Sequence, residues 1–359
     1  MKKKTLNGIA WVCAWGCALC FRPAFAMESI ASTGTNVNPA IYETLEKQKK
    51  VLTNYPILFD ASFDVYKSQK DEGTYVVPGL IRTETVDLHN QVDECADMTP
   101  QGVAVVDDYI MISAYCHEHK HNSVIYVLNK RSHLFVKTII LENRSHVGGI
   151  AYDPICRNLW VATKNEEEGH ASVSSLKLAT IDSYNFSKTR KPIRFDYVRQ
   201  LPQMKNNTFM TYYDFEVYCG CFDKKTKTLS LYIYKIEPFS GHIDNRSTRT
   251  IRVAGYDFIG DICQGIAISD EYIVLSASNG PDQESMLAFF DRSDDYFLNA
   301  KPSKTITLPS RLEQVYFDGG GTLFLLFESA AKAYRQSESI DIDRVLKCDV
   351  DTLTRYVRY

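Results

Sequence analysis

The stretch PQGVAVVDDYIMISAY, residues 100–115, returns as CQGIAISDEYIVLSAS at residues 263–278, with eight of sixteen positions identical. A chain that says the same thing twice builds copies of one supersecondary unit, and the copies bury their apolar faces against each other. Looser copies start at His146 (HVGGIAYDPICRNLWVAT), Thr208 (TFMTYYDFEVYCGCF) and Glu313 (EQVYFDGGGTLFLLFES). Each is an apolar run, a polar or glycine turn, and a second apolar run, which is the signature of a β-hairpin. Aligned at Gln101, Gly148, Thr208, Gln264 and Gln314, the copies are 47, 60, 56 and 50 residues apart.

A third strand rich in β-branched and aromatic residues follows each hairpin, as in SVIYVLNK (123–130) and LSLYIYKI (229–236). Most units add a fourth, such as FVKTIIL or KTITLPS. Four strands at a period near fifty fit one blade of a β-propeller. The first two strands of each unit are almost unbroken apolar runs, as expected where both faces are covered by neighbouring blades. The expected fold is therefore all-β, a five-bladed β-propeller of four-stranded antiparallel blades. Six blades is the alternative, if residues 182–207 conceal another unit. The last unit lacks an obvious fourth strand unless TLTRYVRY supplies it. The segment YVVPGLIRTETVDL (75–88) is expected to close the ring by pairing into the last blade, giving a propeller over 75–359 without open sheet edges.

Residues 1–26 have a basic start (MKKK), a short apolar run from Ile9 to Phe21 and the small-x-small pattern Ala24-Phe25-Ala26. They read as a signal peptide, which places the chain outside the cytoplasm, secreted or otherwise extracytoplasmic. The apolar run is too short to span a bilayer, so no membrane insertion is expected after cleavage. Residues 27–74 form an N-terminal extension with a short helix expected over about 39–53, capped by Asn38 with Pro39 at its first position. The leader carries four cations (Lys2, Lys3, Lys4, Arg22) and no acid, so removing it takes the net charge from −3 to −7. With the remaining cations scattered, nucleic acid is not an expected partner. Seven cysteines remain, an odd number that leaves at least one outside any intramolecular disulfide. A monomer is expected.

In a propeller, the loops that lead into the first strands and those joining second to third strands crowd one mouth of the central channel. The residues expected there are Gln101, Tyr115, Gln264, Gln314, Glu328, Tyr334 and Arg335 as ligand-binding candidates. Their amides, phenols and single guanidinium can read a polyhydroxylated or anionic ligand. The amides can equally well bond one another and serve the fold. His146, before two glycines at the start of an inner strand, is the candidate acid–base group, with Glu313 as its carboxylate partner. His117, His119 and His121 alternate along one short loop and are the candidate ligands of a divalent metal, Zn²⁺ or Cu²⁺. A solvated polar loop is the simpler account of that triplet.

The copies QGVAVVDDYIMISAY…NSVIYVLNK and GGIAYDPICRNLWVAT…SLKL resemble the secreted propellers with NHL-, YVTN- or gluconolactonase-like repeats. The resemblance covers about residues 75–350 and rests on repeat rhythm. It implies the fold and leaves the activity open, because that group holds lactonases, lyases and a cyclotransferase as well as binding modules. Gluconolactonase-like enzymes hold a divalent cation with carboxylates and amides. Here the inner positions offer only Glu313 as an acid, too little oxygen charge for a hard cation. Two functions stand side by side. One is a module that binds a small polar ligand or glycan, or a protein partner, at the channel mouth. The other is a hydrolase or lyase using His146 and a nearby carboxylate.

Overall fold

A computed structural model describes residues 44–253, 262–292 and 301–355, without the side chains of 245–247. The segment expected to be a signal peptide and the expected cap at Asn38-Pro39 lie outside these residues. Five four-stranded antiparallel sheets surround a channel. Blade 1 is built from Met98–Val106, Tyr109–Cys116, Val124–Asn129 and Phe135–Ile140. Blade 2 uses Ile150–Asp153, Asn158–Asn165, His170–Lys177 and Tyr197–Leu201. Blade 3 uses Phe209–Tyr213, Glu216–Asp223, Thr228–Ile236 and Ile243–Val253. Blade 4 uses Cys263–Ile268, Tyr272–Ala277, Ser285–Asp291 and Lys304–Leu308. Blade 5 takes Leu312–Phe317, Thr322–Phe327 and Arg344–Asp349 from the end of the chain. Its outer strand is Tyr75–Val76, with Tyr75 opposite Val345 and Val76 opposite Arg344.

The propeller has five blades and not six. The long spacing within blade 2 comes from two short helices, Leu178–Ser183 and Phe186–Thr189, inserted before its fourth strand. The closing segment is shorter than 75–88. After Val76 the chain leaves blade 5, and Thr83–Val86 pairs instead with Val92–Cys95 in a separate two-stranded hairpin. Residues Val350–Arg355 form a helix rather than a strand.

The repeated phrase acquires a physical meaning at the axis. The pairing of inner to second strand slips by one residue between Pro100 and Gly102, and again between Cys263 and Gly265. Gln101 and Gln264 therefore stand at β-bulges, which re-aim a side chain. The glycine that follows permits close approach of neighbouring blades. A Cβ on Gly102 would lie 2.5 Å from Ser113 Oγ and 2.8 Å from Gln314 Oε1. The repeated serine also joins blades: Ser113 Oγ donates to Val147 O (2.9 Å), and Ser276 Oγ donates to Glu313 O (2.7 Å).

Gln314, fully buried, occupies the channel itself. Its Oε1 accepts from Val103 N (2.9 Å) and Ile150 N (3.0 Å), and its Nε2 donates to Ile150 O (2.7 Å) and Met210 O (3.1 Å). One amide from blade 5 thus binds the inner strands of blades 1, 2 and 3. An amide offers two acceptor and two donor positions, and all four are filled by backbone. Gln314 is a strut of the ring and has nothing left for a ligand.

The N-terminal extension lies against blades 4 and 5. Its helix, Leu45–Leu52, is capped by the Thr44 side chain, which accepts from Lys47 N at 3.3 Å. Leu52, Leu58 and Phe63 are buried in one cluster with Ile306 and Leu308 of blade 4 and Leu346 of blade 5. Among the described residues, no helix is long and apolar enough to cross a membrane.

Replacing Gln314 by leucine, at nearly constant volume, leaves four buried backbone groups without partners. At about 1–3 kcal/mol for each stranded group, the expected loss is on the order of 4 kcal/mol or more. Denaturant unfolding reads this directly, and a loss below about 1 kcal/mol would show that the ring holds without the strut.

Candidate functional site

The channel opens at two ends, and Gln314 separates them. At one end the hairpin turns, including Asp107, Asp214, Asp270 and Asp318, surround a shallow basin of about 710 Å³. At the other end the inner strands begin, and there the chemistry-bearing side chains collect.

Directly beside the strut lie two buried acids, Glu313 and Glu328, only 4% and 5% exposed. Each receives an amide from a bulge: Gln101 Nε2 donates to Glu328 Oε2 at 2.8 Å, and Gln264 Nε2 donates to Glu313 Oε1 at 3.1 Å. The two carboxyls also bond each other. Burial, then the charge of Glu328, holds the Glu313 carboxyl well above the usual carboxylate range. Burial pushes Glu328 up to about 7, opposed by the Arg311 guanidinium and by hydrogen bonds from Gln101 and Glu313. The arrangement is a carboxylic acid donating to a carboxylate, since like charges this close do not both ionise. Arg311 balances the pair. Its Nη1 lies 3.3 Å from Glu328 Oε1, and its Nε donates to Glu338 Oε1 at 2.7 Å. Arg311 adopts φ +65°, a left-handed conformation uncommon outside glycine and found disproportionately at functional sites.

An aromatic and imidazole wall covers the acids. Tyr115 packs against His146 with ring centroids 4.3 Å apart and planes tilted by 33°, and its hydroxyl lies 3.2 Å from His117 Nδ1. His119 is 5.6 Å from the same ring. Tyr334 meets His117 edge-on at 5.4 Å and carries the Arg311 guanidinium over its face at 4.0 Å. Burial raises both phenols, Tyr334 to about 12, so neither ionises near neutral pH. His146 keeps part of its surface open to the mouth while protein crowds around it. Desolvation first, then His119 and His117, lower its pKa and leave a neutral imidazole. The adjacent Val147 is a β-branched residue at φ +49°, a genuine strain in the wall of the site.

Beyond His146 lies a cavity of about 640 Å³ between blades 1, 2 and 3. His119, Arg144, Lys164, Asn206 and Asn207 line it along with His146. Asn207 is 8% exposed and lies beside the Cys219 thiol, yet neither its Nδ2 nor its Oδ1 makes a well-formed hydrogen bond. The acid pair and this cavity are neighbours, not one space: neither Glu313 nor Glu328 is among the lining residues.

The sequence candidates fare unequally. Gln101, Tyr115, Gln264, Glu313, Glu328, Tyr334, His117, His119 and His146 come together at this mouth. Gln314 does not serve it, for the reason given above. Arg335 follows Tyr334 in the same turn, but the guanidinium that engages Glu328 is that of Arg311. The three loop imidazoles do not converge. His121 turns away, placing Nδ1 3.4 Å from Cys116 Sγ and Nε2 3.2 Å from Asp93 Oδ2. Sequence reasoning missed Arg311, although its i−2 spacing from Glu313 at the head of an inner strand was a usable signal. It also missed Arg144 and Asn207, which carry no local motif.

No protein-family model matches the chain, and no curated protein matches its sequence. Among solved structures, the WD40 repeats of RRP9 superpose at TM-score 0.42 with 10% identity, covering 75% of this chain and 99% of theirs. The PQQ-bound aldose sugar dehydrogenase of Streptomyces coelicolor matches at TM-score 0.40 and 10% identity, over 74% and 96% of the two chains. The β-propeller domain of the Trilobed protease from Pyrococcus furiosus matches at 0.33 and 8%, over 65% and 78%.

The acid pair makes stability depend on pH. A carboxyl whose folded pKa is raised contributes fully below the unfolded value of about 4.5, and the contribution is lost as pH rises through the folded value, here about 7 for Glu328. Glu313→Gln keeps a neutral group at the same place and removes the shared proton. The parent protein is expected to lose stability relative to this variant between about pH 5 and pH 8, measured by denaturant unfolding at each pH. Parallel curves would show that the two acids do not share a proton.

Proposed function

We propose that this is an extracytoplasmic, monomeric propeller that binds a small polyhydroxylated ligand bearing one anionic group, in the cavity beside His146. The observation that carries this reading is Asn207. A buried amide whose polar atoms make no well-formed hydrogen bond, with only a thiol beside it, is costly, and such groups in a native structure call for a partner. This one lines a cavity within the ordinary size range of small-molecule sites. Arg144 and Lys164 set two positive charges against one acid, Glu166, in the same space, on a chain that is acidic overall. Arg144 suits a carboxylate or phosphate by its planar fork, and the amides of Asn206 and Asn207 suit hydroxyls. The strained Val147 supports the same place, since such strain persists mainly where a site uses it.

A second reading is favoured by one observation, the burial of Glu313 and Glu328 side by side with their carboxyls in contact. A buried acid titrating near neutrality is the usual preparation for general acid–base work. In that reading the cavity binds the substrate, neutral His146 meets it first, and the acid pair exchanges protons with the mouth through Tyr115 and Tyr334. Hydrolysis or elimination on a sugar-derived lactone or ester would fit such a set.

Calorimetry with hexuronic acids and the matching neutral hexoses separates the readings. A hexuronic acid is expected to bind, and Asn207→Ala to weaken it roughly 10-fold, as for the loss of about one good hydrogen bond. Arg144→Ala is expected to erase the preference for the acid over the neutral sugar. If the acid binds no better than the neutral sugar, or Asn207→Ala binds as the parent does, the proposal fails. Turnover that Glu328→Gln abolishes without loss of binding would establish the enzyme reading.

A further inference from the structure

The outlying hairpin of residues 83–95 docks on blade 1 at the loop that follows Cys116. Cys95 ends the second strand of the hairpin, and Cys116 ends the second strand of blade 1. His121 belongs to the loop between them in space, joined to the hairpin by the bridge between Asp87 and His121 and by Asn122 N, which donates to Val86 O at 3.0 Å. The Sγ of Cys95, the Sγ of Cys116 and a ring nitrogen of His121 all lie within 4.8 Å of one another. Both cysteines are free thiols and almost fully buried, at 1% and 2% exposure. From this geometry we infer a zinc site in which Cys95, Cys116 and His121 supply three ligands.

Three features support it. First, the spacing is right. A tetrahedral zinc with sulfur at about 2.3 Å and nitrogen at about 2.1 Å has ligand-to-ligand edges near 3.5–3.8 Å, and Cys116 Sγ already stands 3.4 Å from His121 Nδ1. Second, the other ring nitrogen of His121 faces the Asp93 carboxylate at 3.2 Å. A carboxylate behind a ligating imidazole fixes its tautomer and orientation, and it recurs at zinc sites. Third, a two-stranded hairpin is marginal alone, and a metal clasp at its end would tether it to blade 1. Two thiolates and an imidazole suit zinc better than calcium or magnesium. Three protein ligands leave the fourth tetrahedral position for water. Binding converts two thiols to thiolates and releases two protons to buffer. The clasp would also fix the loop of residues 117–121 and so the positions of His117 and His119 in the mouth, independently of what the cavity binds.

The test is titration of the purified, reduced chain with zinc against a chromophoric chelator under anaerobic conditions. One zinc per chain is expected, with two protons released, and Co²⁺ in its place is expected to show thiolate-to-cobalt charge transfer. Cys116→Ser and His121→Ala are expected to weaken binding at least 100-fold. Asp93→Asn, which leaves every ligand in place, should weaken it roughly 10- to 100-fold. Cys263→Ser, in blade 4, should leave it unchanged and guards against zinc held elsewhere. Absence of zinc binding, binding indifferent to these substitutions, or cobalt spectra without thiolate character would overturn the proposal. So would metal-free protein isolated with a Cys95–Cys116 disulfide.

Discussion

Everything in this propeller is arranged about the side-chain amide of Gln314. Five sheets around a channel leave their inner strands without lateral backbone partners, and buried N–H and C=O groups near the axis must be satisfied. One amide meets this need for blades 1, 2 and 3 together, through four bonds of 2.7–3.1 Å. Its reach fixes how closely the strands approach, and that closeness is why glycine stands at 102. A side chain there would collide with Ser113 and with the strut itself.

The site inherits its geometry from the same device. Because the strut fills the axis, the residue before it, Glu313, is delivered to the mouth, where Gln264 and Glu328 meet it. The bulges that seat Gln101 and Gln264 are features of pairing, yet their amides are what allow two acids to be buried side by side. Removing water from a carboxylate is costly unless charge and hydrogen bonds replace it. Arg311 and the two glutamines supply that replacement for Glu328 and Glu313. Fold and site are thus made of one set of residues, and the Gln-Gly phrase recurs because it serves both.

How much of this the sequence discloses depends on distance along the chain. Apolar runs separated by turns are local, so the blades and their number are legible from spacing alone. The serine and glycine of the repeat mark the positions where blades touch. What lies across blades is not legible. Arg311 reaches Glu328 only because a left-handed turn aims it there, and Tyr334-Arg335 offered a plausible but different guanidinium. The histidine triplet was a candidate metal site beside the simpler account of a solvated loop, and an extended loop sends its alternate side chains to different neighbours. His121 went to Cys95 and Cys116, whose meeting depends on a hairpin that breaks away from the ring-closing strand after Val76. Asn207 has no motif at all. Its interest lies in the partners it lacks, which only the three-dimensional surroundings reveal.

Native-state hydrogen exchange at the amides of Val103 and Ile150 tests the central claim most directly. Both donate to Gln314, from different blades and 47 residues apart in sequence. If the strut organises the channel, both exchange only through global unfolding, with equal opening free energies that match denaturant unfolding. Exchange of either amide through a local opening well below the global value would contradict the account.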